Sequence, residues 1–457
     1  MCEVDVIFEP SRVILIGSSK IREKVGLSSP QLFKSVIHNM KRFFKGEVYI
    51  KDIDKEKGQN IGVLPKVPEL AVIMLPPKQS IDEAEKCARM GVKAFTMITG
   101  GYRDEQRQKL LRLREKYGVR ILGPNTVMGV INTANGLNTT FERDVMPRRG
   151  NIAIISQSGG VGACLLDWAC RYKIGISKFA FMGDKIDVDD IDLLHYLAKD
   201  KETRVICLYM EGVKNGRKFI EEARKIVAKK PILALKGGIT QESAHRAKSH
   251  TASMAGSDEI FDAAFKKAGI IRVGDPEELM NAAIALSKQP PMFGDNIAIV
   301  SNVGGPAILA TDAIARNSLK LASLSDETKR RIESLYSGMD ATNPIDMIAD
   351  ARAERYEKVL DLVLADKNVD GVLVINMLKS CFFEPEDAMV IPEVAAKYPH
   401  KPIVDVAAGG EDFELVYEVI GESNIPIYNL PEKGVKALKI LRDYGRILEK
   451  LGKVKKN

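Results

Sequence analysis

NIAIISQSGGVGACLLDWACRYKIGIS, residues 151–177, returns as NIAIVSNVGGPAILATDAIARNSLKLA, residues 296–322. In each copy a short apolar run ends in a polar turn with paired glycines, and an amphipathic stretch follows. An apolar run of that length bounded by turn signals reads as a buried strand, and the stretch after it as a helix. Farther on, KPILALKGG (230–238) returns as KPIVDVAAGG (401–410), with further strands expected at 204–209 and 369–376. Strand, glycine turn, helix and strand, given twice, predict an α/β fold with two flavodoxin-like halves.

The copies differ at one place. After the glycines of the second copy an acidic helical segment starts at once with Glu411 and Asp412; after those of the first, the matching segment DEIFDAAFKKAG waits until Asp258. Residues 239–257 are therefore an insertion, and they hold two of the five histidines, His245 and His250. A polar loop added to a scaffold that closes without it points to function more than to structure. No HxxxH or HxxE pattern accompanies these histidines, so no metal site is expected. His250 on its own residues is a general base, a nucleophile or a bystander. Beside two anion-binding helix ends, covalent phosphoryl capture is the better account. Such a histidine needs a carboxylate on its other ring nitrogen. Glu211, at the end of VICLYMEG, is the leading candidate, because the other copy has VLVINMLK, with no acid at the aligned position.

The two glycine turns are the candidate phosphate sites. Ser156, Gln157, Ser158, Gly159 and Gly160 open one helix, and Asn302, Val303, Gly304 and Gly305 open its counterpart. Glycines let a backbone approach an anion closely, and first-turn N–H groups with the helix dipole favour negative charge. Two such turns in a pseudo-symmetric pair could point at one anion.

The chain has 457 residues, 45% apolar and 28% charged, with a formal charge of +7. At about 150 residues per domain, roughly three domains are expected. We draw them at 1–145, 146–288 and 289–457, with the polar stretch 135–150 and QPPMFGD (289–295) as links. The first domain opens with RVILIGSSK (12–20), and further strands are expected at 47–50, 70–75, 94–98 and 119–122. It reads as Rossmann-like, with Gly17, Ser18, Ser19 and Lys20 as a candidate nucleotide cradle. Pro76 and Pro77, and Asn125, follow later strands where open sheets bind ligands. The cradle is not GxGxxG, so NAD is poorly supported. Six scattered cysteines without a CxxC pair read as reduced thiols of a cytoplasmic protein. No apolar run reaches the ~20 residues of a membrane span, no signal peptide is expected, and the mild, spread charge makes nucleic acid an unexpected partner.

With these residues in place, the chain resembles the α subunit of ADP-forming acyl-CoA synthetases, typified by acetyl-CoA synthetase and related to succinyl-CoA synthetase. The resemblance covers essentially the whole sequence. It is carried by SHTASMAGSDEIFDAAFKKAGIIRV (249–273), IISQSGGVG, GDKIDVDDIDLLHYL (183–197) and ILGPNTVMGVINTANGLNTTF (121–141). It implies a Rossmann-like CoA-binding domain followed by two flavodoxin-like ligase domains. It also implies His250 as the phosphorylated histidine, Glu211 as the carboxylate that holds it, and both glycine turns as grips on the phosphoryl group. Gly17–Lys20, Pro76–Pro77 and Asn125 would surround coenzyme A.

The implied reaction is acyl-CoA (acetyl-CoA by default) + ADP + phosphate ⇌ acid + CoA + ATP. ADP and magnesium need an ATP-grasp module, and only a short helix and tail follow the third domain. A separate β subunit is therefore expected, in an α2β2 assembly. Departures from the family pattern stand at Ala252, where glycine is usual, at Asp184, where asparagine is common, and in the shortened first turn. The rival reading is a non-catalytic CoA-binding regulatory protein on the same domains.

Overall fold

The computed structural model describes residues 4–20, 30–54, 64–240, 242–243, 258–379 and 382–453. Three sheets follow one another along the chain. The first holds β1 (Arg12–Gly17), β2 (Glu47–Asp52), β3 (Leu70–Ile73), β4 (Ala94–Met97) and β5 (Arg120–Leu122), all parallel, in the order β2-β1-β3-β4-β5. The second holds β6 (Val130–Asn132), β7 (Leu137–Asn138), β8 (Arg149–Ser156), β9 (Ile176–Phe181), β10 (Val205–Met210), β11 (Ile232–Lys236) and β12 (Ile271–Val273), in the order β12-β11-β10-β8-β9-β6-β7. The third holds β13 (Asn296–Ser301), β14 (Lys320–Leu321), β15 (Ile345–Asp346), β16 (Gly371–Asn376), β17 (Ile403–Ala407) and β18 (Ile427–Tyr428). Its order is β14-β13-β16-β17-β18, with β15 also on β13.

The central strands are mostly apolar rather than alternating because helices cover both faces of a parallel sheet. Every residue of β3, β4, β9, β11, β16 and β17 is buried. Numbered within its own parallel part, with the two-residue β15 left aside, each sheet runs 2-1-3-4-5, so the chain repeats the doubly wound flavodoxin-like order. That order leaves a crevice where the chain reverses direction, between strands 1 and 3, at their C-terminal ends.

The duplication extends to side-chain devices. Lys230 reaches the carbonyls of Leu197 and Asp200, at the end of the helix Asp190–Lys199. Lys401 does the same for Leu364 and Asp366, after the helix Ala353–Ala365. A cation on orphan terminal carbonyls also meets the negative end of the helix dipole. Burial pulls both ammonium groups below the ordinary lysine range.

The chain divides into two compact units, Met1–Leu279 and Met280–Asn457. The helix Pro276–Lys288 carries the backbone across that division. The boundary expected near 145 falls inside the first unit, where the first two sheets share buried polar contacts. Asp187, its side chain 2% exposed, accepts from Arg114 (2.7 Å), Arg120 (3.1 Å) and the Ile121 N–H (2.8 Å). Phe8 stacks on Tyr196 at 4.6 Å, and its carbonyl accepts from Asn132 and Asn135, both at 2.9 Å. The stretch 135–150, expected as a link, supplies β7 and the start of β8, and β6 adds antiparallel to β9. Residues 289–295 are also packed. Gln289 donates to the Asn424 carbonyl at 2.6 Å and accepts from Ile403 N–H at 2.9 Å, while Asp295 accepts from Arg442 at 2.6 Å.

In the second unit a carboxyl lies in the core. Asp405 of β17 is fully buried and accepts from Asn376 Nδ2 at 2.6 Å. Its Oδ2 and the Asn376 Oδ1 have no partner among the described residues. Burial pushes its pKa up to about 7.

Candidate active site

The crevice of the second sheet opens between β8 and β10, and both sequence-predicted features of that region lie on its rim. β8 ends at Ser156, the Gln157–Ser158 turn follows, and the helix Gly159–Arg171 begins. β10 ends at Met210, directly before Glu211. Gln157, 4% exposed, ties the two together. Its Oε1 accepts from the N–H groups of Glu211 (2.8 Å) and Gly212 (3.1 Å), and its Nε2 donates to the Gly212 carbonyl (2.9 Å) and to Asp190 (2.7 Å). Lys185 donates to Asp190 and to the Gly212 carbonyl, both at 2.9 Å. The backbone at Glu211 is thus fixed by buried, fully used polar groups.

The Glu211 side chain is only half satisfied. Oε1 accepts from the Tyr209 hydroxyl at 3.3 Å, whereas Oε2 is buried with no partner among the described residues. A carboxylate oxygen left so costs free energy unless something else completes it. The chemistry it fits is a hydrogen-bond donor, such as a ring N–H. His250, expected in that role, lies outside the described residues, as do His245 and Ala252.

The glycine turns differ in their capping. Ser158 caps its helix, accepting from Val161 N–H at 3.4 Å, while Ser156 Oγ donates to the Ser158 carbonyl at 2.6 Å. In the other copy Val303 stands at the cap with no side-chain bond, so the first-turn amides of the helix Gly304–Arg316 stay open. Around Gly160, Gly304 and Gly305 an added Cβ would meet nothing within 4 Å. Among the described residues no atom requires glycine there, and the space kept clear suits an incoming anion. Asn302 repeats the Gln157 device, exchanging two bonds with the Met377 backbone (3.0 and 3.2 Å). Strand register sets Ile375 opposite Ser301 as Tyr209 is opposite Ser156. The counterpart of Glu211 is therefore Met377, again not an acid.

The first-sheet cradle departs from its expected form. Among the described residues no helix starts at Lys20; the next one is Pro30–Phe43. The donors anticipated for phosphate are engaged by carboxylates: Asp52 accepts from Ser19 N–H at 3.1 Å, and Asp54 from Lys20 N–H at 2.8 Å and from Ser18 Oγ. An arriving phosphate would have to displace both acids. Gly17 has a packing reason, since a Cβ there would lie 2.3 Å from the Phe33 ring. Pro76 and Pro77 begin the helix Pro77–Arg89, with Pro77 at the position where a missing N–H costs nothing. Asn125 is drawn to the second sheet, donating to Asp184 at 3.4 Å, and Arg107 pairs with the same carboxylate at 2.8 Å. Among the described residues no group of three or more His, Cys, Asp or Glu gathers as a metal site.

Sequence reasoning missed Tyr209, Lys185 and Asp190. The last two lie in the quoted stretch 183–197, but only the fold brings them under Gly212.

Residues 149–286 match the family described as succinyl-CoA ligase like flavodoxin domain. The chain is 36% identical over 445 residues to the ADP-forming acetate–CoA ligase II subunit alpha of Pyrococcus furiosus, covering 94% of this chain and 95% of that one. The chain belongs to the family of ADP-forming acetate–CoA ligase α subunits. Within the wider group, the ADP-forming 4-hydroxybutyrate–CoA ligase of Nitrosopumilus maritimus is 33% identical over 94% of this chain, which spans 63% of that longer relative. Among solved structures, the acetyl-coenzyme A synthetase 1 of Candidatus Korarchaeum cryptofilum, in complex with phosphate and ADP, superposes with a TM-score of 0.88 at 30% identity, covering 99% of both chains.

Proposed function

We propose that this chain is the catalytic α subunit of an ADP-forming acyl-CoA synthetase, converting acetyl-CoA, ADP and phosphate into acetate, CoA and ATP. The observation that carries it is Glu211, held at the switch point with one buried oxygen that has no partner among the described residues. Phosphate attacks the thioester carbonyl, the CoA thiolate leaves, and an acyl phosphate results. A ring nitrogen of His250 then takes the phosphoryl group and the carboxylate product departs. Glu211 accepts the proton-bearing nitrogen on the other side of the ring, fixing its tautomer and balancing the charge of the phosphoimidazole. Phosphate binding is assigned to the turns Ser156–Gly160 and Asn302–Gly305, each through the N–H groups that open its own helix.

Coenzyme A is assigned to 1–145, with Gly17, Ser18, Ser19, Lys20, Pro76, Pro77 and Asn125 about it; the phosphohistidine segment is 146–288, and 289–457 gives the second turn. ADP with Mg2+ is assigned to a separate ATP-grasp β subunit, in an α2β2 complex. The relatives named as α subunits support that division of labour, and so does the greater length of the 4-hydroxybutyrate relative. We place the protein in the cytoplasm. Among the described residues no helix is long and apolar enough to cross a membrane.

The test is intact-mass analysis after incubation with acetyl-CoA and phosphate, with and without the β subunit. An acid-labile phosphoryl group mapped to His250 is expected. Its absence under both conditions would overturn the reading in favour of a CoA-binding regulator.

A further inference from the structure

Three differences between the two copies coincide around one hydroxyl. Where the first copy has Tyr209 and Glu211, the second, in register, has Ile375 and Met377. Where the first has Gly237 after β11, the second has Ala408 after β17. Phenol, acid and glycine are thus exchanged together. Geometry gives the reason. The Tyr209 hydroxyl lies 3.3 Å from Glu211 Oε1, and an added Cβ on Gly237 would approach that hydroxyl to 2.3 Å. Gly237 is itself pinned, its N–H donating to the Met210 carbonyl at 2.9 Å. The glycine makes room for the phenol, and the phenol occupies one oxygen of the acid.

We propose that Tyr209 is a positioning residue for Glu211, holding Oε1 so that the buried Oε2 is the oxygen presented to the reacting group. The inference rests on the catalytic reading of Glu211. A carboxylate turning about its Cγ–Cδ bond offers either oxygen to a partner; a donor locked on one of them removes that choice. Burial, then the charge of Glu211, push the Tyr209 phenol up to about 12, so it stays a donor throughout the neutral range.

The experiment compares Tyr209→Phe, Glu211→Gln and the double variant in the full chain with its β subunit. It reads the rate of phosphoenzyme formation from acetyl-CoA and phosphate, KM for acetyl-CoA, and thermal midpoint. Tyr209→Phe is expected to slow phosphoenzyme formation roughly 5- to 20-fold, with KM within about twofold and an unchanged midpoint. Against Glu211→Gln, the same change is expected to have no further effect, because it acts through the acid. Gly237→Ala, which crowds the hydroxyl without removing it, should reproduce the loss. A wild-type rate for Tyr209→Phe, or an equal further loss in the double variant, overturns the proposal. A wild-type rate for Glu211→Gln is a separate result: it overturns the reading of Glu211 and the proposal with it.

Discussion

Gln157 uses both ends of one amide to clamp one peptide segment, and Asn302 does so with a side chain one methylene shorter. Gln157→Ala strands two N–H groups, a carbonyl and part of Asp190, each costing about 1–3 kcal/mol if left unpaired. Water and Lys185 recover some of this, so the first unit should lose roughly 2–4 kcal/mol in urea unfolding. A loss below about 0.5 kcal/mol would mean that the clamp is redundant. At the reacting residues, Glu211→Gln and His250→Ala should each reduce ATP formation ~10²- to 10⁴-fold while CoA affinity, measured by calorimetry, stays within about twofold. Substantial turnover by His250→Ala would sink the phosphohistidine step. Glu211 was legible in the sequence because an acid at one strand end had no counterpart in the repeat. Tyr209 was not: within an apolar strand a tyrosine reads as core, and only geometry puts its hydroxyl on a carboxylate.

The glycine-turn helices separate structural from ligand-driven need for glycine. An alanine Cβ at 160 would touch nothing among the described residues, and alanine suits a helix better by up to about 1 kcal/mol. Gly160→Ala should therefore keep or raise the thermal midpoint while slowing phosphoenzyme formation; a marked drop in midpoint would assign the glycine to folding. In β17, the raised pKa of Asp405 makes a signed prediction. The native state keeps a proton that the unfolded chain releases near 3.8, up to a folded-state value of about 7. Stability of the second unit is thus greatest below that window, falls as pH rises through it, and levels off above, by at most about 4 kcal/mol. A proton on Oδ2 is also a donor for Asn376 Oδ1, which has no partner among the described residues. Asp405→Asn supplies an N–H there at every pH, so its unfolding curves should lose this dependence. An equal fall in the variant would remove Asp405 as the cause. Repeated strands and turns were legible because burial on both faces writes continuous apolar runs. At the cradle Gly17–Lys20 the donors meet Asp52 and Asp54, more than thirty residues on, and nothing local in the sequence foretells that pairing.

At the scale of the molecule, the sheets could be counted in the sequence but their grouping could not. What joins the first two is Asp187 with Arg114 and Arg120, an arrangement in which each partner is unremarkable alone. Removing one member of a buried pair costs about 3–5 kcal/mol, so Asp187→Ala should loosen the first sheet from the second. Limited proteolysis that cuts between residues 122 and 149 in the variant and not in the wild type would register it; identical digestion would refute the role. The duplication has a practical corollary. Each half contains the same amide clamp and the same lysine on a helix end, but only one also has the acid, the phenol and the long insertion. The chain therefore carries its own control. A probe of backbone protection that changes equally at Met377 and Glu211 reports on solvent or temperature. One that changes at Glu211 alone reports on chemistry, and the difference is measured within a single molecule in a single tube.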